Sequence, residues 1–261
     1  MKNLKERIKN GEAVNGCWLN LASTISAEIV GRSGFDWVLI DLEHGAGNEV
    51  IMYQQLQVLE GTRAFPIVRT NEISRPKSQN ILDAGAGGIM FPRIETAEEA
   101  EAALRTMYYP PKGVRGMAKM VRATGFGKNF EEYMSGLENN LVGVIQIETL
   151  GAVKQIDAIA AIKETDVLFV GPSDLSLALG IFGQFDHTHY REALSQVVQA
   201  AQKHGKAAGI LLQNINEYEM YYQLGFRFIA CGADTSFVTR GAENMIKEMT
   251  LRSVQGSKAK N

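Results

Sequence analysis

Residues 141–149, LVGVIQIET, are the stretch from which the fold of this 261-residue chain can be read. The run opens as a buried β-strand, and two polar side chains then appear at alternate positions, Gln146 and Glu148. Strand alternation puts those two on one face and Ile145 and Ile147 on the other. A carboxylate at the end of an apolar strand is costly to bury unless it is paired, hydrogen-bonded or bound to a metal. Further along, a second apolar strand at 167–170 runs into Gly171-Pro172-Ser173-Asp174, which sets a second carboxylate just beyond a strand end. The two acids face each other if these strands are parallel neighbours.

The surrounding pattern makes them so. Eight apolar strands are expected at 15–19, 35–41, 65–69, 88–92, 142–148, 167–170, 207–212 and 226–231, separated by stretches of helical period. Helices are expected near 26–33, 50–60, 75–84, 96–106, 152–162, 190–204, 217–224 and 239–252, and Thr96 with the acids behind it marks one helix start. Repeated βα units imply right-handed crossovers and a parallel sheet, and eight of them close into a (β/α)8 TIM barrel. The fold class is therefore α/β, a single barrel domain over 1–252, with 253–261 read as a polar, disordered tail. Residues 108–140 are too long for an ordinary connection. They are expected on the catalytic face as a lid, a binding loop or an oligomer contact.

Charge excludes several partners. With 27 basic and 29 acidic residues the formal net charge is −2, and no basic patch attracts nucleic acid or an anionic membrane. There is no apolar run long enough for a membrane span, and the charged N-terminus lacks the apolar core of a signal peptide. Cys17 and Cys231 both fall in expected strands and read as small buried hydrophobes, so a reduced, cytoplasmic protein is expected.

In such a barrel the chemistry sits at the C-terminal ends of the strands. Those ends offer Asp41, Glu43 and His44, then Arg69, Arg93, Gln146 with Glu148, Ser173 with Asp174, Leu211 with Gln213, and Gly232 with Asp234. Two carboxylates, Glu148 and Asp174, are too few to cage calcium. They suit an ion that keeps positions open for water and a chelating substrate, as Mg²⁺ or Mn²⁺ does. Position alone leaves a second reading open, in which Glu148 forms a structural ion pair with Arg69. His44 is the one histidine near an expected strand end, and Asp41 is placed to accept its ring N–H; a surface histidine in a βα loop is the competing account. No lysine falls at a strand's C-terminal end, which argues against Schiff-base chemistry. The Gly45–Val50 stretch is a weak imitation of a dinucleotide fingerprint, and Gly232-Ala233-Asp234 lacks the glycine-rich run of a phosphate cradle.

Several stretches together resemble the HpcH/HpaI aldolase family: GFDWVLIDLEHG (34–45), PIVR (66–69), YPPKGVRG (109–116), IQIET (145–149), VGPSDLSLALG (170–180) and KAAGIL (206–211). The resemblance implies a hexamer of barrels whose C-terminal helix swaps between subunits. It also implies a divalent metal, Mg²⁺, Mn²⁺ or Co²⁺, and cleavage of a 4-hydroxy-2-oxo acid to pyruvate and an aldehyde. By the same resemblance Glu148 and Asp174 are the metal ligands. Gln146 lies beside the keto acid, and the N–H groups of Ser173 and Asp174 hold its carboxylate. Arg69 stabilises the enolate oxygen, Asp41 and His44 form an acid–base dyad working through water, and Trp18 and Leu211 wall the pocket. Asp83 is similar to an acid lent by an adjacent subunit. The segment 116–127 departs from the family pattern and leaves the aldehyde open.

The function expected is thus a class II pyruvate aldolase, a carbon–carbon lyase, acting on 2-keto-3-deoxy sugar acids or 4-hydroxy-2-oxo dicarboxylates. The alternatives keep the metal-enolate site but decarboxylate oxaloacetate or cleave an acyl-CoA thioester in the manner of a citrate lyase β chain. A non-catalytic keto-acid-binding barrel is the third reading, and the set His44, Arg69, Glu148 and Asp174 speaks against it.

Overall fold

A computed structural model describes residues 4–258, with side chains through Ser253. Eight parallel strands close on themselves in sequence order: β1 (Val14–Leu19), β2 (Trp37–Asp41), β3 (Phe65–Arg69), β4 (Gly88–Phe91), β5 (Val142–Ile147), β6 (Val167–Val170), β7 (Ala207–Leu212) and β8 (Phe228–Ala233). The helices are α1 (Leu4–Lys9), α2 (Thr24–Arg32), α3 (Glu49–Leu59), α4 (Arg75–Asp83), α5 (Ala97–Arg105), α6 (Phe130–Asn140), α7 (Leu150–Lys154), α8 (Ile156–Ala161), α9 (Pro172–Ala178), α10 (Thr188–Lys203), α11 (Tyr218–Leu224) and α12 (Asp234–Lys258). This is the (β/α)8 barrel that the strand pattern requires.

Both faces of the sheet are apolar, as a doubly covered parallel sheet demands. On β5 the residues Val142 and Val144 point into the barrel, while Ile145 and Ile147 pack against the outer helices. Gln146 and Glu148 continue the inward parity. The interior is filled by aromatic rings, Trp37 stacked on Phe228 at 4.1 Å between centroids and Trp18 tilted on Phe169 at 5.4 Å. Gly16 is required there, because a Cβ would overlap the Trp37 indole. At the N-terminal mouth α1 acts as a plug: Leu4 and Ile8 join the interior cluster, and the buried Lys5 ammonium reaches Asp166 Oδ2 at 3.0 Å and the Leu141 carbonyl at 2.7 Å.

Several expectations need correction. The eighth strand begins two residues later than expected, because Gly225, at φ 112°, ends α11 and leaves Phe226 and Arg227 in the turn. The helix expected over 152–162 is two short ones, α7 and α8, divided at Gln155, and α9, started by Pro172 at its first position, was not foreseen. The final helix does not stop at 252. It runs to Lys258, past the start expected for a disordered tail, and 259–261 lie outside the described residues. Thr96 does cap α5, accepting from the Glu99 N–H at 3.2 Å.

The long segment between α5 and α6 is also misplaced by the sequence reading. It follows α5, which returns the chain to the N-terminal side of the barrel, so it does not overlie the catalytic face of its own subunit. It lies along α3 and α4 instead: the Gly116 N–H donates to Gln79 Oε1 at 3.1 Å, and Arg122 donates to the carbonyls of Ala84 at 2.8 Å and Leu56 at 3.2 Å. Among the described residues no helix is long and apolar enough to cross a membrane.

Candidate active site

The strand ends converge. Asp41 ends β2 and Arg69 ends β3 in register with each other. Their parity, set by Leu39 and Ile67 below them, turns both into the barrel mouth. Arg69 clamps Asp41 with two bonds, Nε to Oδ1 at 2.9 Å and Nη2 to Oδ2 at 2.6 Å, and its Nη1 lies 3.1 Å from Glu43 Oε2. Asn20 Nδ2 adds a bond to Asp41 Oδ2 at 2.8 Å, and the Glu43 and His44 N–H groups donate to Oδ1 at 3.0 and 3.2 Å. Burial pushes the Asp41 carboxyl up, but the Arg69 bonds and charge outweigh it and hold it below the usual range.

This geometry corrects the expected dyad. A carboxylate offers about four lone-pair sites, and Asp41 already meets five donors, so it has none for the His44 ring. His44 contacts Asp41 only through its backbone. Its imidazole is 67% exposed, and the carboxylate it faces is Glu43, 3.8 Å from Nε2. Glu43 stood among the strand-end residues without a role, and Asn20 was not singled out. The signal for both was parity, two residues beyond Asp41 and Trp18.

Across the mouth, Glu148 is buried just past β5. Its Oε1 accepts from the Arg93 N–H at 2.7 Å, and its Oε2 accepts from Gln146 Nε2. Gly171 lies against this pair, where a Cβ would sit 2.5 Å from Glu148 Oε2. Among the described residues no arginine or lysine pairs with Glu148, and Arg69 is held by Asp41 and Glu43, so the structural ion pair with Arg69 is not formed. Burial, reinforced by the charges of Asp174 and Glu43, pushes the Glu148 carboxyl up to about 7, against the Arg93 N–H and the Arg69 charge. Asp174 shares with it a crevice of about 350 Å³ that Arg93, Glu95 and Leu177 also line. Asp174 and Ser173 are in the first turn of α9, where backbone N–H groups have no partner within the helix.

The donor set suits a divalent ion. Two carboxylates and the amide oxygen of Gln146, which is buried without a hydrogen-bond partner, are hard oxygen donors. Among the described residues no cluster of three or more Asp, Glu, His or Cys is placed to hold a metal. An ion here would therefore complete its shell with water or substrate, as Mg²⁺ commonly does. A proton and a cation then compete for Glu148. Titration calorimetry of Mn²⁺ from about pH 5.5 to about 8 should show affinity falling roughly tenfold per unit below about 7 and levelling above it. A pH-independent affinity would contradict Glu148 as a ligand.

The other singled-out residues are dispersed. Trp18 is part of the barrel interior, with half-buried Leu211 packed at its edge, so both border the mouth from below. Asp234 faces away from the crevice: it accepts from the Asn20 N–H at 2.8 Å and Ser26 Oγ at 2.6 Å, tying the β1 loop to α12. Lys206 donates to the carbonyls of Ile162 and Lys163, both at 3.0 Å. Asp83 ends α4 on the opposite side of the barrel from the strand C-termini. It holds buried Arg115 at 2.6 Å, and that guanidinium is sandwiched by the rings of Tyr109 and Tyr133. Within its own subunit Asp83 belongs to the flank and not to the site.

The chain is similar to several known proteins along nearly its whole length. The family model described as HpcH/HpaI aldolase/citrate lyase matches residues 15–240. A protein of Paraburkholderia phytofirmans named hydroxypyruvate/pyruvate aldolase is 35% identical over 252 residues, covering 94% of this chain and 96% of that one. One from Klebsiella pneumoniae named 4-hydroxy-2-oxo-heptane-1,7-dioate aldolase is 34% identical over 246 residues, covering 94% and 93%. The crystal structure of an aldolase/citrate lyase family protein from Burkholderia cenocepacia superposes with a TM-score of 0.91 at 33% identity, covering 96% of this chain and all of that one.

Proposed function

The chain belongs to the HpcH/HpaI aldolase/citrate lyase family, and from that premise we propose that it is a divalent-metal-dependent pyruvate aldolase, splitting a 4-hydroxy-2-oxo acid into pyruvate and an aldehyde. The observation that carries the reading is Glu148: a buried carboxylate with no cationic partner among the described residues, beside a second acid, at the C-terminal mouth of the barrel. The names of its relatives support the same chemistry, carbon–carbon bond cleavage next to pyruvate.

Glu148 and Asp174 would hold the ion, Mg²⁺, Mn²⁺ or Co²⁺, which when bound would act as a Lewis acid on the keto group and share the enolate charge. The Ser173 and Asp174 N–H groups bind the keto-acid carboxylate, and Gln146 lies beside it. His44, exposed at the mouth, removes the proton from the C4 hydroxyl. The C3–C4 electron pair passes to the C2 carbonyl as the aldehyde departs, and Arg69 donates to the resulting enolate oxygen. Asp41 and Glu43 hold that guanidinium in place, Asp41 acting on Arg69 and not on the His44 ring. Trp18 and Leu211 keep the pocket apolar. We propose a reducing cytoplasm as its compartment, which suits its two free thiols. Purified protein with Mn²⁺, pyruvate and a panel of aldehydes, scored for adduct by mass spectrometry, tests the reading. Adduct is expected; carbon dioxide from oxaloacetate without any adduct would replace aldol chemistry with decarboxylation.

Assembly is part of this proposal. Along α12, Val238, Met245, Ile246, Met249 and Leu251 are exposed on one subunit, an apolar run of a kind that monomeric proteins rarely leave to water. We read it as an oligomer face, swapped between subunits of a hexamer, with Asp83 and the exposed Met117, Met120 and Phe126 of the flanking segment turned to a neighbour's site. Light scattering at micromolar concentration should give a hexamer's mass, and a monomer would contradict it.

A further inference from the structure

Arg93 follows Pro92, where β4 delivers the chain to the catalytic face, and its backbone is left-handed, with φ 54°. A side chain with a Cβ rarely adopts that conformation unless its surroundings over-determine it, and such residues cluster at functional sites. Here the N–H is fixed by its bond to Glu148 Oε1. The side chain has a different fate. It is exposed and lines the crevice with Glu148, Asp174 and Leu177, and among the described residues its guanidinium has no hydrogen bond or ion pair. Among the described residues it is the one basic side chain lining that crevice. Glu95, the remaining acid there, lies against Gly151, where a Cβ would overlap its carboxylate. Arg69, by contrast, is tied through each of its three nitrogens to Asp41 or Glu43, which leaves two of its five N–H groups for the enolate oxygen.

We propose that Arg93 is a specificity-determining residue that reads an anionic group at the far end of the acceptor aldehyde. The inference rests on the aldolase reading above. On this proposal the keto acid's carboxylate sits on the Ser173 and Asp174 N–H groups, the chain beyond C4 turns along the crevice that Glu148 and Asp174 line, and the guanidinium at its lip meets whatever that chain ends in. Its planar fork matches a carboxylate with two parallel bonds, a match that lysine does not reproduce. A neutral aldehyde of the same length leaves the fork facing water.

The test compares succinic semialdehyde with its primary amide as acceptors for pyruvate in the Mn²⁺-loaded protein. The variants are Arg93→Asn, which keeps the N–H and tolerates the left-handed backbone, and Arg93→Lys, which keeps the charge. The readout is the ratio of kcat/KM for the acid to that for the amide. In Arg93→Asn that ratio should fall roughly tenfold to a hundredfold, through KM for the acid, with Arg93→Lys between the two. Circular dichroism melts establish that each variant is folded. If the parent makes adduct with either acceptor and the ratio does not move in Arg93→Asn, the inference is overturned. If the parent makes no adduct with either, the aldolase reading fails and this inference with it.

Discussion

Arg69→Ala is expected to lose roughly 10²–10³ in rate both for aldol cleavage and for exchange of the pyruvate methyl protons, because both pass through the same enolate. The coincidence of the two losses is the informative part. His44→Ala should cripple cleavage, which needs the C4 hydroxyl deprotonated, and leave exchange measurable. Arg69→Lys should not restore either rate, since one ammonium cannot span both Asp41 oxygens and still reach Glu43. Stability should fall as well: truncating Arg69 strands Asp41, and breaking a buried pair from one side costs about 3–5 kcal/mol. The Asn20 and backbone bonds to Asp41 remain, so rates should be compared on protein whose melting curve shows it folded. Exchange at the parental rate in Arg69→Ala would move the enolate role to another residue.

Glu148→Gln is expected to abolish ion binding and cleavage while making the metal-free protein more stable at alkaline pH. Burial raises the folded carboxyl to about 7 from an ordinary 4.5, so the folded state holds its proton longer than the unfolded one, and stability falls as pH rises through that window. Glutamine never ionises, and the variant should melt a few degrees higher (about 5 °C) near pH 8 without metal. Its amide also fits. The Arg93 N–H still finds an oxygen, and a flipped Gln146 can offer its unpartnered Oε1 to the new N–H₂. Asp174→Asn should lose ion affinity too. A Glu148→Gln protein that bound Mn²⁺ with parental affinity would remove Glu148 from the ligand set.

The barrel was legible because its signal is local and repeated: eight apolar runs with helical stretches between them fix topology through chirality and short connections. Parity along β5 likewise told which of its residues face inward, and Gln146 and Glu148 do. What the sequence could not show was which acid serves which base. Asp41 and His44 are three residues apart and looked like a pair, but the competitor for Asp41 was Arg69, on the next strand and in register. A bidentate guanidinium outcompetes an exposed imidazole for one carboxylate. Arg93 was visible as a strand-end residue, yet its left-handed backbone and its bond to Glu148 are tertiary facts. The segment 108–140 was misplaced for a topological reason, having been attached to the end of β4 when it follows α5.

Enolate formation at this mouth would require a divalent ion, which Glu148 and Asp174 would hold. Proton NMR of pyruvate in deuterium oxide measures it directly, with protein stripped by a chelator and then resupplied with Mg²⁺, Mn²⁺ or Co²⁺. Methyl-proton exchange should vanish on stripping and return with the ion, and borohydride should trap no pyruvate on any lysine. Exchange that persists after exhaustive chelation, with a lysine adduct in the mass spectrum, would contradict it.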